Sequence, residues 1–271
     1  MTPHLLYGTA WKEERTEKLV TQALQAGFTG IDTANQRKHY FEEAVGKGIQ
    51  SFLNDSGKDR KSLFLQTKYT YQRGQDHRLP YDPNGSFMDQ VNQSFQSSLD
   101  HLQTDYIDSY VLHGPYQGDG LADPDFEVWN AMENLHKQGK IKALGVSNVS
   151  LMQLKELYDF AKIKPTFVQN RCYARLGWDK KVRNYCFANK ITYQGFSLLT
   201  ANARELMDPS IQHLAGLYLK TVPQLIFKFS QQVGMLPLTG TTNPNHMKQD
   251  LLIDDFKLQP NEIHHIENLS F

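Results

Sequence analysis

Short apolar runs alternate with longer amphipathic segments from one end of the chain to the other. The runs are too short for typical helices, and several are rich in β-branched or aromatic residues, so they predict strands. The segments between them repeat apolar residues at helical spacing, as Val91, Phe95 and Leu99 do, which predicts helices with one buried face. The predicted strands are Leu5–Thr9, Phe28–Asp32, Ser62–Thr67, Tyr106–Leu112, Ile141–Val146, Thr166–Gln169, Ile191–Phe196 and Met235–Leu238.

Eight strands separated by helices predict a parallel sheet that closes into a (β/α)₈ TIM barrel. The competing fold, an open doubly wound sheet, usually carries a Gly-x-Gly-x-x-Gly turn after its first strand. Residues 8–12 read Gly-Thr-Ala-Trp-Lys and do not supply that turn. No linker-like stretch divides the chain, so we expect one barrel domain over residues 1–271. Within it, Ser150 is expected to cap one helix and Gly139 to end another.

The composition argues against some classes of function and leaves the fold prediction as it is. Lys plus Arg and Asp plus Glu both number 29, so no overall field favours nucleic acid or an anionic membrane. Cys172 and Cys186 match no common metal-binding spacing, and we expect two buried thiols in a reducing compartment and no metal. No signal peptide or membrane-spanning stretch is visible, which predicts a cytoplasmic protein.

The ends of the predicted strands carry the candidate chemistry, because active sites of such barrels lie at the C-terminal ends of the strands. Charged residues also follow buried strands simply because the chain returns to solvent. Return to solvent explains any one of these residues well. It explains less well why an acid, a lysine, a histidine and amides all occur at successive strand ends. The residues at these ends are Asp32, Lys68, His113, Ser147, Asn148, Gln169, Asn170, Phe196 and Ser197.

Four segments resemble motifs of the aldo-keto reductase family, and they occur in the expected order over most of the chain. Gly27–Ala34 resembles the signature around the catalytic aspartate, Phe64–Lys68 the strand ending in the catalytic lysine, and Asp105–His113 the segment ending in the active-site histidine. Lys140–Asn148 is close to the fifth-strand motif. The resemblance implies a barrel enzyme that reduces a carbonyl with a nicotinamide cofactor.

The resemblance also implies roles for the catalytic residues. A tyrosine donates the proton; its pKa starts near 10, and a lysine ammonium beside it favours the phenolate and lowers that pKa. Lys68 suits the ammonium and Asp32 the carboxylate that holds it, while His113 orients the carbonyl and stabilises the developing oxyanion.

The tyrosine itself is displaced from the family spacing. Relatives place it five residues after the aspartate, where this chain has Arg37, which indicates an insertion of two residues. Counting back from Val45-Gly46, which resembles a family pair on the next helix, leads to His39 or Tyr40. Only tyrosine has the required chemistry, so we assign Tyr40. The alternative is an aromatic side chain that packs on the following helix.

By the same resemblance, several strand ends bind the cofactor. Ser147, Asn148 and Gln169 hydrogen-bond the nicotinamide carboxamide, and Phe196 stacks on its ring. The full set of expected cofactor contacts is Gly8, Thr9, Ala10, Asp32, Ser147, Asn148, Gln169, Phe196, Ser197, Leu199, Thr241, Thr242, His246 and Asp250.

The adenosine end departs from the family pattern. Relatives committed to NADPH place a lysine after the last strand and an arginine on the next helix, and both pair with the 2′-phosphate. Here Gly240 or Thr241 stands in the place of that lysine, and His246 stands in the place of the arginine. Lys248 is the only strong cation nearby in the sequence. Hydroxyl groups and the helix N-terminus still suit a phosphate. The resemblance thus implies NADP(H) held more weakly and leaves NAD(H) open.

The expected partner is a small-molecule carbonyl substrate, and the oligomeric state is left open. The resemblance shows neither the N-terminal hairpin nor most of the C-terminal loop of many relatives, and Gly114 replaces a bulky tryptophan, which predicts an open site. The loop Tyr69–Ser86 either forms part of its wall or is a solvated polar loop. Two functional alternatives are a cofactor-binding sensor with little turnover and an unrelated phosphate-binding barrel. The second is disfavoured because no Gly-rich phosphate loop follows the last strand.

Overall fold

The computed structural model describes residues 3–269; Met1, Thr2, Ser270 and Phe271, at the ends of the expected 1–271 domain, lie outside the described residues. Over residues 3–269, eight parallel strands pair in sequence order and close into a barrel, which confirms the predicted (β/α)₈ TIM barrel. The strands are β1 Leu6–Gly8, β2 Gly30–Asp32, β3 Phe64–Tyr69, β4 Ile107–Leu112, β5 Ile141–Ser147, β6 Phe167–Arg171, β7 Thr192–Phe196 and β8 Met235–Thr239.

Helices follow every strand, and their ends show the predicted capping chemistry. The Ser150 hydroxyl accepts from the Gln153 backbone N–H at 3.2 Å, and Gly139 adopts φ +75° directly after a helix ends. The helices are α1 Thr16–Ala26, α2 Glu42–Ser56, α3 Phe87–Leu102, α4 Asp123–Lys137, α5 Leu151–Phe160, α6 Lys180–Ala188, α7 Pro209–Leu217, α8 Val222–Gln232, α9 Pro244–Leu251 and α10 Pro260–Glu267. No helix among residues 3–269 combines the length and apolarity needed to cross a membrane.

Most strands begin one or two residues later than the apolar runs predicted. Phe28 shows why: its side chain is buried, but its backbone N–H bonds to Ala23 O at 3.1 Å and closes the end of α1. Burial therefore starts before strand pairing does. At the other end, β3 continues through Lys68 to Tyr69, so Lys68 lies inside the strand and is held rigidly by the sheet.

The barrel interior has an apolar end and a polar end. Leu6, Phe64 and Phe167 are the first residues of their strands and pack together, with the two phenylalanine rings 5.5 Å apart. Further along the same strands the inward positions become polar, because side chains two residues apart on a strand share a face. Gln66 follows Phe64 on β3 in this way, and Asp32 is its neighbour in the register. The apolar end thereby closes the barrel beneath the polar mouth.

Candidate active site

An ion pair between Asp32 and Lys68 lies at the centre of the barrel mouth. Both side chains are buried, and Lys68 Nζ lies 2.7 and 2.8 Å from the two Asp32 carboxylate oxygens. The third bond of the ammonium goes to Thr33 O at 2.7 Å. Burial lowers the Lys68 pKa, and the Asp32 charge opposes that shift. All three donors of the ammonium group are therefore satisfied by its own chain.

Three buried glutamines surround the same carboxylate. Gln66 Nε2 and Gln169 Nε2 lie 2.7 and 3.0 Å from Asp32 Oδ1. Both also donate to Gln194 Oε1, and Gln194 Nε2 donates to Gln66 Oε1 at 2.9 Å. Sequence reasoning missed Gln66 and Gln194. The available signal was their position two residues before Lys68 and Phe196, which puts each on the inward face of its strand.

His113 stands beside this ion pair as a neutral imidazole. Its Nδ1 lies 2.7 Å from Thr70 Oγ1, and its backbone N–H donates to Tyr69 O at 2.9 Å. Burial lowers the His113 pKa to about 3, and the charges of Lys68 and His39 act in the same direction. The imidazole is therefore uncharged near neutral pH, and its hydrogen bond within residues 3–269 uses Nδ1, so Nε2 can meet a ligand.

In the structure, Tyr40 lies beside the Asp32–Lys68 ion pair, whereas His39 packs against a different residue. The Tyr40 ring lies edge-on to the His113 ring, with centroids 5.9 Å apart, and Lys68 Nζ is 5.3 Å from the Tyr40 centroid. The His39 ring instead stacks on Trp11 at 4.0 Å. Of the two positions weighed from the sequence, Tyr40 is the one gathered with Lys68 and His113.

A turn in the longer β2–α2 loop produces this arrangement. The backbone N–H groups of His39 and Tyr40 both donate to Gln36 O, at 3.1 and 3.0 Å. The Gln36 side chain donates to Gly74 O at 2.6 Å and lies 2.9 Å from His39 Nδ1. Asn35 Nδ2 donates to Ser94 O at 2.9 Å and anchors the start of the loop to α3. The extra residues are therefore absorbed in a braced turn that returns the tyrosine to the mouth.

The pKa of Tyr40 is shifted in the direction opposite to that expected. Burial raises it, the Asp32 carboxylate raises it further, and Arg171 opposes them. Any lowering by Lys68 is outweighed in this arrangement, because burial dominates the shift and Asp32, which pairs with Lys68 at contact distance, adds to it. Tyr40 is consequently protonated at neutral pH, which is the form a proton donor needs.

The expected nicotinamide ligands lie together at the ends of β5 and β6. Ser147 Oγ donates to Gln169 O at 2.7 Å. Asn148, in the left-handed region at φ 53°, donates from Nδ2 to His113 O at 2.8 Å. The side-chain bonds of Asn148 and Gln169 within residues 3–269 thus use the amide nitrogens, which leaves both amide oxygens as acceptors.

The other expected cofactor contacts lie at the ends of β1 and β7. Thr9 is buried and donates from both N and Oγ1 to Asp32 O at 3.0 Å, so it ties β1 to β2. Phe196 is half-buried, and its ring centroid is 5.4 Å from the Arg171 guanidinium carbon. The remaining members of this group are partly exposed, namely Gly8, Ala10, Ser197 and Leu199.

The expected adenosine contacts after β8 divide into exposed and buried residues. Thr242 and His246 are exposed and Thr241 is half-buried. Asp250 is only 3% exposed, and its carboxylate accepts from Thr239 Oγ1 at 2.7 Å. Burial raises the Asp250 pKa to about 6. This carboxylate faces the end of β8 rather than open solvent.

A buried lysine from the β1–α1 loop corrects the view of Lys248 as the only strong cation nearby. Lys12 Nζ donates to Gly240 O at 2.7 Å and lies 5.0 Å from the Tyr7 ring centroid. A Cβ at Gly240 would lie 3.8 Å from this nitrogen, so the ammonium stands beside one of the places where the resemblance puts a lysine. Burial lowers the Lys12 pKa to about 8, with Arg15 contributing. The sequence signal that was overlooked is a lysine shortly after the end of the first strand.

The tyrosines of the segment Tyr69–Ser86 are packed inside the protein. Tyr69, Tyr71 and Tyr81 are all buried. Their hydroxyls donate to Gln90 Oε1 at 3.1 Å, Asp125 Oδ1 at 2.9 Å and Thr70 O at 2.7 Å, respectively. The solvated-loop alternative is therefore wrong for these tyrosines, whereas Arg78 of the same loop lines a pocket together with Tyr40, and a substrate wall stays a prediction. Tyr69 and Tyr71 thus bond to the first turns of α3 and α4, and Tyr81 bonds within the loop itself.

Known proteins resemble this chain in sequence and in fold. The model of the Aldo/keto reductase family matches residues 5–270. The chain is 32% identical to a glyoxal reductase of Bacillus subtilis, over 95% of this chain and 84% of that protein. It is 28% identical to the methylglyoxal reductase DkgA of Escherichia coli, over 96% of this chain and 86% of that protein. An aldo-keto reductase of Bombyx mori, solved in complex with NADP, superposes with a TM-score of 0.85 at 25% identity, covering 99% of this chain and 89% of that one.

Proposed function

Since the chain belongs to the aldo/keto reductase family and is thus an oxidoreductase, we propose that it reduces an aldehyde or ketone to an alcohol with NADPH. The observation that carries the proposal is the grouping of Tyr40 and neutral His113 around the buried Asp32–Lys68 ion pair. This grouping supplies a proton donor, a hydrogen-bond donor and a fixed positive charge at one place. A carbonyl oxygen that becomes negative needs all three.

NADPH, when bound, supplies the hydride that forms the new C–H bond at the carbonyl carbon. Tyr40 gives its hydroxyl proton to the carbonyl oxygen, and the phenolate that remains is stabilised by the Lys68 ammonium. Asp32 holds that ammonium in place. His113, with its pKa near 3, stays neutral and donates a hydrogen bond rather than a proton. Tyr40 regains its proton from solvent, which balances the reaction.

The residues around the mouth suit a nicotinamide dinucleotide. The amide oxygens of Asn148 and Gln169 match the two N–H groups of a carboxamide. The buried Lys12 ammonium and the N-terminus of α9 suit phosphate. We therefore expect NADP(H) to be preferred, with NAD(H) binding more weakly. The chain's balanced charge and its two buried free thiols support a cytoplasmic enzyme.

A small carbonyl compound is the proposed substrate class. Two relatives are named for glyoxal and methylglyoxal, and the sequence predicts an open site. Gly114, which directly follows His113, is part of this openness. A Cβ there would lie 3.6 Å from Asn148 Cβ, so a larger side chain would crowd the rim.

Turnover of methylglyoxal and 4-nitrobenzaldehyde with NADPH or NADH tests the proposal. We expect Tyr40→Phe to lower kcat at least about 100-fold, as loss of a general acid does, while the Kd for NADPH stays near that of the wild type. His39→Gln is the matched control from the same turn and should retain most activity. Wild-type turnover by Tyr40→Phe would refute the proton-donor assignment. Tight NADPH binding without turnover by the wild type would favour the sensor alternative instead.

A further inference from the structure

Thr70 and His113 are joined by a hydrogen bond that the proposed mechanism does not use. Each residue directly follows a strand, and those strands pair up to Tyr69 and Leu112, so the two side chains are neighbours at the rim. Thr70 Oγ1 lies 2.7 Å from His113 Nδ1, and Thr70 is only 5% exposed. The bond is therefore shielded from competing water.

The direction of this bond decides what His113 presents to a ligand. A neutral imidazole carries a proton on one ring nitrogen and a lone pair on the other, whereas a hydroxyl both donates and accepts. If Thr70 donates, Nδ1 accepts and the His113 proton lies on Nε2. If Thr70 accepts, the proton lies on Nδ1 and Nε2 presents a lone pair. That lone pair would repel a carbonyl oxygen that becomes negative.

We propose that Thr70 is a positioning residue that donates to Nδ1 and fixes His113 as the Nε2–H tautomer. The inference rests on the proposed function, because that function requires His113 to donate to the substrate carbonyl. The hydroxyl of Thr70 then controls catalysis without touching the substrate. Among the groups facing His113, the Lys68 ammonium and the Tyr40 ring edge are not acceptors for Nδ1–H, and the His39 ring uses its own Nδ1 in a hydrogen bond with Gln36.

The surroundings of Thr70 hold its hydroxyl in this position. The Thr70 carbonyl accepts from Tyr81 Oη at 2.7 Å and from Gln75 Nε2 at 3.4 Å, so two side chains fix the backbone. The Thr70 methyl group packs against Gly74, where an added Cβ would lie 2.7 Å from Thr70 Cγ2. With the methyl group on that side, the hydroxyl faces the imidazole. Both backbone bonds are independent of the side chain at position 70.

Two substitutions separate the hydroxyl from the shape of the side chain. Thr70→Val keeps the branched shape and removes the hydroxyl, whereas Thr70→Ser keeps the hydroxyl and removes the methyl group. We expect Thr70→Val to lower kcat on the order of tenfold or more, as impairment of one oxyanion donor does, with a smaller change in KM. Thr70→Ser should remain within about threefold of the wild type. Equal kcat for Thr70→Val and the wild type, or equal losses in both variants, would overturn the inference.

The tautomer can also be read directly in the wild-type protein. Two-dimensional ¹H–¹⁵N NMR of the imidazole nitrogens with NADP⁺ present, assigned through His113→Gln, should show a protonated Nε2 and an unprotonated Nδ1. In Thr70→Val the Nδ1–H form should become detectable. A wild-type spectrum with the proton on Nδ1 would overturn the inference even if Thr70→Val fails to fold. Absence of wild-type carbonyl reduction would refute the proposed function, and the spectrum would still decide the tautomer.

Discussion

Two buried lysines at the barrel mouth are held in different ways. On the β2–β3 side, Lys68 bonds to both carboxylate oxygens of Asp32 and to a carbonyl. On the β8 side, Lys12 contacts, among residues 3–269, one carbonyl oxygen and one aromatic ring. The first charge has a carboxylate partner and makes its three hydrogen bonds within the protein, so it can stabilise a reacting group beside it without binding an anionic ligand. Within the described part of the chain the second has no carboxylate beside it, so it suits a phosphate.

The largest expected effect follows removal of the partnered lysine. Lys68→Met leaves the Asp32 carboxylate buried without its counter-ion, which costs about 3–5 kcal/mol of unfolding free energy. Turnover should fall by on the order of a thousandfold or more, because the positive charge beside Tyr40 is lost. Urea unfolding at pH 7 and NADPH oxidation measure the two effects.

Lys12→Met is the matched control, since it removes a similarly buried ammonium that has no carboxylate partner. It should cost much less unfolding free energy than Lys68→Met. The double variant Asp32→Asn/Lys68→Met should regain part of the lost stability because it removes both charges. Equal losses of stability for the two single lysine variants would break the distinction between the two sides of the mouth.

A smaller effect is expected on cofactor affinity at the other lysine. Lys12→Met should raise the Kd for NADPH about tenfold, the value of one charge-assisted hydrogen bond, with a smaller change for NADH and little change in kcat. A phosphate beside Lys12 raises its pKa above the value of about 8 in the free protein. Above that pKa, NADPH binding must be accompanied by protonation of Lys12. NADPH affinity should therefore weaken between pH 7 and 9.

Fluorescence titration of NADPH across that pH range gives the comparison. The wild type should lose affinity as the pH rises, whereas Lys12→Met should show a flat profile. Lys248→Met is the control, because Lys248 is an exposed cation on α9. If Lys248→Met weakened NADPH binding more than Lys12→Met did, the original assignment from the sequence would be the better one.

The sequence predicted residues at strand ends better than residues whose partners lie far along the chain. Asp32, Lys68 and His113 were found because parallel strands bring their C-terminal ends to one rim. Lys12 was missed because closure of the barrel between β1 and β8 brings it to Gly240, 228 residues away. The polar composition of the loop after β3 suggested a solvated loop or a substrate wall, but Tyr71 is buried and its hydroxyl donates to Asp125 on α4. Local pattern carries no information about such partners.

The smallest expected effect concerns Asp250, which the sequence placed in the cofactor site and which lies buried against Thr239. Its pKa of about 6 lies above the ordinary value of 3.8, so between these values the folded protein binds more protons than the unfolded chain. The free energy of unfolding therefore falls as the pH rises from 3.8 to about 6. Above that range the full destabilisation by the buried charge is present. Asp250→Asn keeps an oxygen to accept from Thr239 and removes the charge.

We expect Asp250→Asn to gain about 1 kcal/mol at pH 7.5, or roughly 2–4 °C in Tm, and to gain little at pH 4. Thermal unfolding at the two pH values measures this difference, and NADPH titration of the same variant measures its role in binding. Thr239→Val, which removes the hydroxyl from the same pair, should instead lower Tm because it deprives the carboxylate of its donor. A large change in NADPH affinity for Asp250→Asn, with no pH-dependent change in Tm, would place this carboxylate on the cofactor. The β8 side would then use an acid as well as Lys12 to select its ligand.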